Sequence, residues 1–411
     1  MLALRAAKTG PDLAKPGESM IRIKAQNRIA RPPGQLGVLS LAEKVIRAAT
    51  REQPADGVLR VELKGQKGLW PEERARVSRA VFAYYRWRGW LDERKPMREQ
   101  VESALELAER YASEPQSFTD AELIARAVPG WLATVMKVTA PWVRALQTEP
   151  RLWLRARRGQ GRALAEKLGD CRVLGADSLA DTLEYRGRSD LFHTKEFRAG
   201  EFELQDLSSQ AVGRICAPRL GETWWDACAG EGGKMLHLSD LMANKGLIWA
   251  SDRAGWRLAT LKRRAARAGV FNYRAVAWEG GSRLPTKTKF DGVLVDAPCS
   301  GIGTWHRNPH ARWTTMAEDV KELSGVQQAL LLHAAGGVKP GGKLVYAACT
   351  LADAETKRVV EGFERGCSQF ARLAVHNPLA LGSVPVDLLM LSPQESGGNG
   401  MCVAAWVRKT E

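Results

Sequence analysis

The stretch Thr223-Trp-Trp-Asp-Ala-Cys-Ala-Gly-Glu-Gly-Gly-Lys234 decides the fold of the carboxyl-terminal half of this 411-residue chain. It joins a short apolar run, typical of a buried strand, to three glycines and then to a helical pattern. Further strand-like runs follow, with helical segments between them, at residues 246–251, 273–277, 290–296 and 343–348. This alternation predicts an α/β fold built on a parallel, doubly wound, Rossmann-type sheet, with residues 401–407 added as an edge strand.

The three glycines indicate a loop that lets a ligand approach the backbone, because glycine has no Cβ in the way. The loop lacks the Gly-x-Gly-x-x-Gly motif, and Met235 follows Lys234 where a P-loop needs Ser or Thr, which disfavours a nucleoside triphosphate. Asp252 closes the next strand, 26 residues after Asp226. An acid at an offset of about 20 residues binds ribose hydroxyls in Rossmann-type sheets, so an adenosine-bearing cofactor fits. The alternative is that Asp252 caps the following helix.

Two cysteines follow two later strands of the predicted sheet. Cys299 lies in Asp296-Ala-Pro-Cys-Ser-Gly301, and Cys349 lies in Tyr346-Ala-Ala-Cys-Thr350. Ligands bind at the carboxyl edge of parallel strands, so we expect two thiols side by side where a thiol can act as a nucleophile. A zinc site from these two and Cys228 lacks any ligand-pair spacing, and we predict no metal. Either cysteine alone would be taken for a small buried apolar residue, but the equivalent placement of both favours chemistry.

The chain is strongly basic. Its 61 Lys and Arg against 46 Asp and Glu give a net charge of +15 and a pI near 9.7. This surplus suits a polyanionic partner, because neutralised phosphates release counterions, although a basic enzyme of ordinary kind has the same balance. Seven cysteines without a Cys-x-x-Cys pair predict a reduced, cytoplasmic protein. No apolar stretch approaches the roughly 18 residues of a membrane span, and we expect a monomer without membrane contact.

The amino-terminal half divides into three regions. Residues 1–39 carry seven Lys and Arg against two acids and predict a flexible basic arm. Ser40-Leu-Ala-Glu43 is a capping box that predicts the start of a helical domain over residues 40–149. Short strand-like runs around a helix at residues 161–168 then predict a small α+β subdomain over residues 150–205.

Several motifs in a fixed order carry a resemblance to a known family: Asp226-x-Cys-Ala-x-x-Gly-Gly-Lys234, Asp252, Asp296-Ala-Pro-Cys-Ser-Gly301, Arg307-Asn-Pro-x-x-Arg312-Trp313 and Ala348-Cys349-Thr350. Over residues 205–409 they resemble the Nop/Sun family of RNA cytosine-carbon-5 methyltransferases. The helical region, with Glu73-Arg-Ala75 and Tyr85-Arg-Trp-Arg88, is similar to the NusB-like RNA-binding domain of the bacterial RsmB-like members.

The resemblance implies a methyltransferase domain over residues 206–411 that uses S-adenosyl-L-methionine to methylate carbon 5 of a cytosine in RNA, above all 16S ribosomal RNA. It implies that Cys349 attacks the base, that Cys299 assists breakdown of the covalent adduct, and that Asp296 and Lys234 serve the same site. The implied cofactor contacts are Cys228, Ala229, Gly230, Glu231, Gly232, Gly233, Lys234, Asp252, Glu279 and Asp296. The implied RNA contacts are Arg307, Arg312 and Trp313, which suit a base unstacked from RNA, although Trp313 equally suits a core.

The chain departs from the family pattern at three places. Gly230-Glu231 stands where the family has Ala-Pro, Ala348 where it has Thr, and Glu279 where it commonly has Asp. Two other functions stay open: the same chemistry on transfer RNA, and a catalytically degenerate RNA-binding assembly factor. The roles of the two thiols are also open on chemical grounds, because DNA cytosine methyltransferases use the cysteine of their Pro-Cys motif as nucleophile.

Overall fold

The computed structural model describes residues 35–66, 68–175 and 179–410. The amino-terminal region is all-helical, with α1 (Gln35–Ala48), α2 (Ala55–Gly65), α3 (Pro71–Trp87), α4 (Met97–Ser113), α5 (Asp120–Arg126) and α6 (Ala140–Gln147). Apolar residues on one face of α1, α3 and α4 form a shared core in which Val45, Val77 and Val101 are fully buried. The likeness of this region to NusB stays a prediction.

The first helix begins earlier than the capping box indicated. α1 starts at Gln35, and Ser40 lies inside it, where its Oγ accepts a hydrogen bond from Arg98 at 2.8 Å. The predicted start at Ser40 is therefore wrong, because the buried residues Val38 and Leu39 continue the helical apolar pattern upstream of it. Most of the predicted basic arm, residues 1–34, lies outside the described residues.

A small antiparallel sheet follows the helical region. Its strands β1 (Leu152–Ala156), β2 (Cys171–Val173), β3 (Thr182–Tyr185) and β4 (Phe202–Leu204) lie in the order β2-β3-β1-β4. Two helices accompany it, α7 (Gly161–Leu168) and α8 (Lys195–Arg198), and α7 coincides with the predicted helix. Glu203 of β4 is buried and forms ion pairs with Arg264 and Arg267, which joins this sheet to the next domain.

The remaining residues form an α/β domain around an eight-stranded sheet. Its strands are β5 (Thr223–Asp226), β6 (Leu247–Asp252), β7 (Tyr273–Ala277), β8 (Phe290–Asp296), β9 (Val338–Ala348), β10 (Phe370–Leu373), β11 (Leu389–Leu391) and β12 (Met401–Arg408). Its helices are α9 (Leu207–Cys216), α10 (Gly233–Leu241), α11 (Gly255–Arg267), α12 (Ala311–Thr314), α13 (Ala317–Ala335), α14 (Lys357–Gly366) and α15 (Pro393–Ser396). The strand order is β10-β12-β9-β8-β5-β6-β7, and β9, β8, β5, β6 and β7 are parallel, which confirms the predicted Rossmann-type sheet.

The predicted edge position of the last strand is wrong. β12 lies between β9 and β10 and pairs antiparallel with both of them. Met401 to Trp406 are buried at consecutive positions. A continuous apolar run is what a strand covered on both faces requires, whereas a solvated edge would show alternation. The run therefore belongs to the interior of the sheet.

The functional edge of the sheet is set by its topology. The direction of chain progression reverses at β5, which pairs with β6 on one side and with β8 on the other. A crevice opens at the carboxyl ends of the strands at such a switch point. Asp296 of β8 lies opposite Ala347 of β9, so the loops after these two strands start side by side. No helix of the described residues is long and apolar enough to cross a membrane.

Candidate active site

The structure brings the two cysteines singled out in the sequence into contact. Cys299 follows β8, Cys349 directly follows β9, and their Sγ atoms are 3.2 Å apart. A hydrogen bond to Cys349, together with burial, holds the pKa of Cys299 well above its ordinary value. Cys299 is therefore unsuited to ionise in this environment, and either sulfur can be the donor in the hydrogen bond between the two thiols. In the described part of the chain, no group of three or more His, Cys, Asp or Glu is arranged to hold a metal ion.

An ion pair lies next to the thiols. Lys234, in the first turn of α10, donates to Asp296 Oδ2 at 2.6 Å and to Ser209 Oγ at 3.4 Å. Burial is the largest single influence on Lys234 and lowers its pKa, but the charge and hydrogen bond of Asp296, with the charges of Cys349 and Asp226, together outweigh burial and raise it. Lys234 therefore stays protonated and is unsuited to act as a base. Its ammonium group places a positive charge near Cys349.

Asp226, at the end of β5, is a buried acid with little compensation from the described residues. It is fully buried, and neither carboxylate oxygen accepts a hydrogen bond of normal geometry from them. Burial, and then the charge of Asp296, raise its pKa to about 7, although Lys234 and the backbone of Cys228 act in the opposite direction. Ionising a buried carboxyl group with so little compensation is unfavourable in the free protein.

The glycine loop between β5 and α10 is shaped for close approach. Gly230 and Gly232 have φ angles of 54° and 87°, which residues with a Cβ rarely adopt. A Cβ on Gly232 would collide with a leucine side chain, whereas Gly230 and Gly233 have open space at that position. Both carboxylate oxygens of Asp252 are used locally: its Oδ2 accepts from the Gly230 amide at 3.1 Å, and its Oδ1 accepts from the Ala254 amide at 2.8 Å, just before α11. Asp252 thus braces the glycine loop, its side chain does not cap α11, whose N-cap is Ala254, and its contact with a ribose stays a prediction.

The other residues expected at the cofactor lie around this loop. Cys228 is half-buried and Ala229 is buried, whereas Glu231 and Glu279 are exposed. The carbonyl of Glu231 accepts from Arg264 at 3.1 Å, so the residue that replaces the family's proline is tied to α11 through its backbone. Ala348, the residue before Cys349 that departs from the family pattern, is fully buried. It pairs with a residue of β12 and lies in the core of the sheet.

Arg312 lies in a different place from the one predicted. Its side chain is fully buried, and its terminal nitrogens donate to the carbonyls of Arg86 (3.3 Å), Ala127 (2.9 Å) and Leu146 (3.1 Å). These carbonyls stand at the carboxyl ends of α3, α5 and α6, where they lack partners within the helix and carry partial negative charge. The prediction that Arg312 contacts RNA is therefore wrong for this structure: the guanidinium joins the helical domain to the α/β domain.

The two residues predicted together with Arg312 are also engaged within the protein. Trp313 is half-buried against the helical core, and its Nε1 donates to Tyr85 O at 2.6 Å, as the core alternative requires. Arg307 donates to Arg151 O at 2.9 Å and lies 3.5 Å from Asp206, with 36% of its side chain exposed. Arg307 alone of the three keeps a substantial surface for RNA, and its contact stays a prediction.

A buried glutamate that the sequence did not single out connects the two cysteine loops. Glu355 is fully buried and accepts hydrogen bonds from Ser300 and Thr350, which directly follow the two cysteines. In the sequence it belongs to a short charged run of ordinary surface character. The hydroxyl residue after each cysteine is a signal that could have led to it, because two buried hydroxyls at one sheet edge need hydrogen-bond acceptors.

Part of the chain matches a known family. Residues 214–407 match the family described as 16S rRNA methyltransferase RsmB/F. A protein of Synechocystis sp., named probable ribosomal RNA small subunit methyltransferase B, is 42% identical over 172 residues. The match covers 41% of this chain and spans 38% of the length of that relative.

Two solved structures share the fold. The crystal structure of PH0851 has a TM-score of 0.75 at 20% identity and covers 90% of this chain and 98% of its own. The crystal structure of NSun6 from Pyrococcus horikoshii with SFG has a TM-score of 0.58 at 19% identity and covers 66% of this chain and 94% of its own. At such identities the likeness establishes the fold alone.

Proposed function

We propose that this protein, whose residues 214–407 belong to the RsmB/F family of 16S rRNA methyltransferases, transfers a methyl group to carbon 5 of a cytosine in small-subunit ribosomal RNA. The observation that carries the proposal is the pair of thiols 3.2 Å apart at the sheet edge, beside the ion pair of Lys234 and Asp296. Carbon 5 of cytosine belongs to an aromatic ring and is a poor nucleophile. A thiolate added to carbon 6 removes the aromaticity, and the adduct must later be broken, so two thiols have separate tasks.

S-adenosyl-L-methionine is the donor we propose, and it would supply an electrophilic methyl group on a sulfonium. The residues present fit it in two respects. The unpartnered Asp226 carboxylate favours a cationic ligand near the end of β5, and the open space at Gly230 and Gly233 admits a ligand against the loop backbone. Asp252, which braces this loop, and Glu279, which follows β7, complete the proposed pocket.

Cys349 is the nucleophile in this proposal. Its sulfur lies 3.2 Å from the sulfur of Cys299, and its charge is one of the influences that raise the pKa of Lys234, so a second thiol and a cation lie close to the attacking atom. The sulfur would bond to carbon 6, and the electrons of the carbon 5–carbon 6 double bond would move to carbon 5. Carbon 5 would then bond to the methyl carbon while the bond from that carbon to the sulfonium sulfur breaks, which leaves a neutral thioether. Lys234 orients the carboxylate of Asp296 through Oδ2, and this carboxylate accepts a hydrogen bond from the exocyclic amine of the base.

Cys299 acts in the second half of the reaction. Once the sulfur of Cys349 is bonded to carbon, it carries no charge, and the interaction that raises the pKa of Cys299 is lost. Cys299 then releases its proton to solvent more readily, and its thiolate takes the proton from carbon 5. The electron pair of that carbon–hydrogen bond restores the double bond, and Cys349 departs with the pair of the carbon–sulfur bond.

The proposal is tested by offering the protein S-adenosylmethionine with a tritiated methyl group together with either 16S ribosomal RNA or transfer RNA. We expect label in 16S RNA, recovered as 5-methylcytosine after digestion to nucleosides. Label in transfer RNA alone would overturn the substrate and keep the chemistry. If the protein bound RNA but neither bound the cofactor nor became covalently trapped on RNA containing 5-fluorocytosine, it would be an RNA-binding protein and the proposal would fail.

A further inference from the structure

We propose that Glu355 is a positioning residue that holds the sulfurs of Cys299 and Cys349 in contact. The meaning of this contact for catalysis rests on the proposed function, whereas the contact itself is testable without it. Glu355 is fully buried near the end of the segment that leads from β9 to α14. It acts through its neighbours, since its hydrogen bonds go to the residues beside the two cysteines.

Both carboxylate oxygens of Glu355 are occupied. Oε1 accepts from the Ser300 amide at 2.8 Å and from Gln327 Nε2 at 2.9 Å. Oε2 accepts from the hydroxyls of Ser300 and Thr350, the latter at 2.7 Å, and these two hydroxyls are 3.1 Å apart. Because Ser300 is bonded to Cys299 and Thr350 to Cys349, one carboxylate fixes both loops at the residue next to each sulfur.

The carboxylate is held in turn by the sheet and by α13. The hydroxyl of Tyr346, in β9, lies 2.7 Å from the Glu355 carbonyl and 3.1 Å from Gln327 Oε1. Gln327, in α13, also donates to the carbonyl of Pro298 at 2.9 Å, one residue before Cys299. A buried carboxylate is tolerated only when hydrogen-bond donors surround it, and here the donors come from the two cysteine loops and from α13. The relative positions of β8, β9 and α13 therefore determine the distance between the two sulfurs.

A second tie between the loops does not involve Glu355. The amide of Gly303 donates to the carbonyl of Cys349 at 3.1 Å, and the carbonyl of Gly303 accepts from Gly400 at 2.7 Å. The backbone thus keeps the two loops near each other when the carboxylate is altered. We therefore expect loss of Glu355 to loosen the sulfur contact without separating the loops, which leaves a folded variant to measure.

The test uses phenylarsine oxide on the full-length protein. This reagent condenses with two adjacent thiols to form two arsenic–sulfur bonds and releases one water, so no oxidant is required. Its affinity reports the effective concentration of one thiol at the other. We expect Glu355→Gln, which keeps the shape but replaces an acceptor oxygen by a donor, to weaken capture about ten-fold. Glu361→Gln is the matched control, because Glu361 is exposed on α14. Cys349→Ser identifies single-thiol background.

The outcomes separate positioning from function. In Glu355→Gln we expect the melting temperature and cofactor affinity to stay near wild type, while kcat for RNA methylation falls about ten- to hundred-fold and KM for RNA is unchanged. Should Glu355→Gln fail to fold, Thr350→Val removes one hydroxyl donor at nearly constant shape and is expected to act in the same direction. Capture as tight as wild type in both variants, or no capture by wild type, overturns the positioning role. Tight capture by a wild type that methylates no RNA would instead refute the proposed function alone.

Discussion

Two fully buried charged side chains, Asp226 at the sheet edge and Arg312 at the domain interface, have opposite surroundings. Neither oxygen of Asp226 accepts a normal hydrogen bond from the described residues, whereas the terminal nitrogens of Arg312 reach three helix ends. Burying either charge is costly. The fold supplies acceptors for Arg312, whereas we propose that a cationic ligand compensates Asp226. The presence of a charged side chain in a motif near a site therefore does not by itself predict that it binds a ligand. It is more informative to know whether the hydrogen-bonding groups of that side chain are already paired within the protein.

Burial moves both groups toward their neutral forms, with different consequences. The pKa of Asp226 is raised to about 7 and that of Arg312 is lowered to about 9. Arg312 thus keeps its charge near neutral pH, while Asp226 is partly protonated there. A cationic ligand favours the ionised form of Asp226, so its binding and the release of a proton are linked.

The largest effect is expected at the ligand-binding edge. Cys349→Ala removes the proposed nucleophile and should lower methyl transfer by about 10⁴-fold or more, because the remaining groups cannot replace a covalent step. The unfolding free energy should change little. Tritiated methyl transfer and urea unfolding measure the two effects, with Cys171→Ser, in β2, as control. If Cys299→Ala loses adduct formation and Cys349→Ala retains it, the roles of the thiols are reversed.

Arg312→Met, at the interface between the helical and α/β domains, should lower stability and leave cofactor binding unchanged. Up to three buried carbonyls lose a donor, at about 1 to 3 kcal/mol each, so we expect a loss of about 3 to 5 kcal/mol in unfolding free energy. The folded fraction should keep near-normal cofactor affinity, because Arg312 does not line the glycine loop. Urea unfolding and cofactor titration are the measurements. Arg263→Met, at an exposed position of α11, is the matched control. Unchanged stability with impaired RNA binding would restore Arg312 as an RNA contact.

Asp226→Asn should raise the unfolding free energy of the free protein and lower its affinity for the cofactor. In wild type the folded state keeps a proton on Asp226 up to about pH 7. The unfolded chain releases it near pH 4, so unfolding free energy falls as pH rises from about 4 to about 7 and is level above. Asparagine cannot ionise, so without cofactor the variant should exceed wild type by about 1 to 4 kcal/mol at pH 8 but not at pH 4.

Its affinity for S-adenosylmethionine should be lower than that of wild type at pH 8, and the difference should shrink at pH 4, where the wild-type carboxyl group is protonated as well. Urea unfolding at pH 4 and 8, with calorimetric titration of the cofactor, measures these changes. Glu361→Gln, at an exposed position of α14 outside the proposed cofactor pocket, is the control. Equal stability of Asp226→Asn and wild type at pH 8 would show that Asp226 is already compensated within the protein.

The smallest effect is expected at Arg307. Its surroundings are intermediate between those of Asp226 and Arg312, because it has partners within the protein but is partly exposed. Its side chain is partly exposed and its ion pair with Asp206 spans 3.5 Å, so Arg307→Gln should cost less than about 1 kcal/mol in unfolding free energy. If Arg307 contacts a phosphate, the slope of log affinity against log salt should fall by about one. RNA titrations at several salt concentrations measure it. A destabilisation as large as that of Arg312→Met would place Arg307 with the interface.

Much of the sheet and of its reactive edge was predictable, because these features depend on local pattern. Apolar runs and the glycine loop indicated parallel strands, and parallel strands bring Cys299 and Cys349 to one edge whatever the details of packing. The two errors in the elements had different causes. The position of β12 between β9 and β10 depends on pairing with strands distant in sequence, which no local pattern specifies. The start of α1 was set too late although the local apolar pattern continues before Ser40.

The sequence by itself determined which residues are strands and loops of the site and which side chains carry its chemistry, because backbone preference and hydrophobic periodicity act over a few neighbouring residues. Only the tertiary structure decided which of the charged side chains were free for a ligand. Arg312 meets carbonyls at positions 86, 127 and 146, and Glu355 meets Ser300 and Gln327, all brought together by packing. A buried charge must find its hydrogen bonds wherever the fold brings them, so its role depends on the surroundings that the fold gives it.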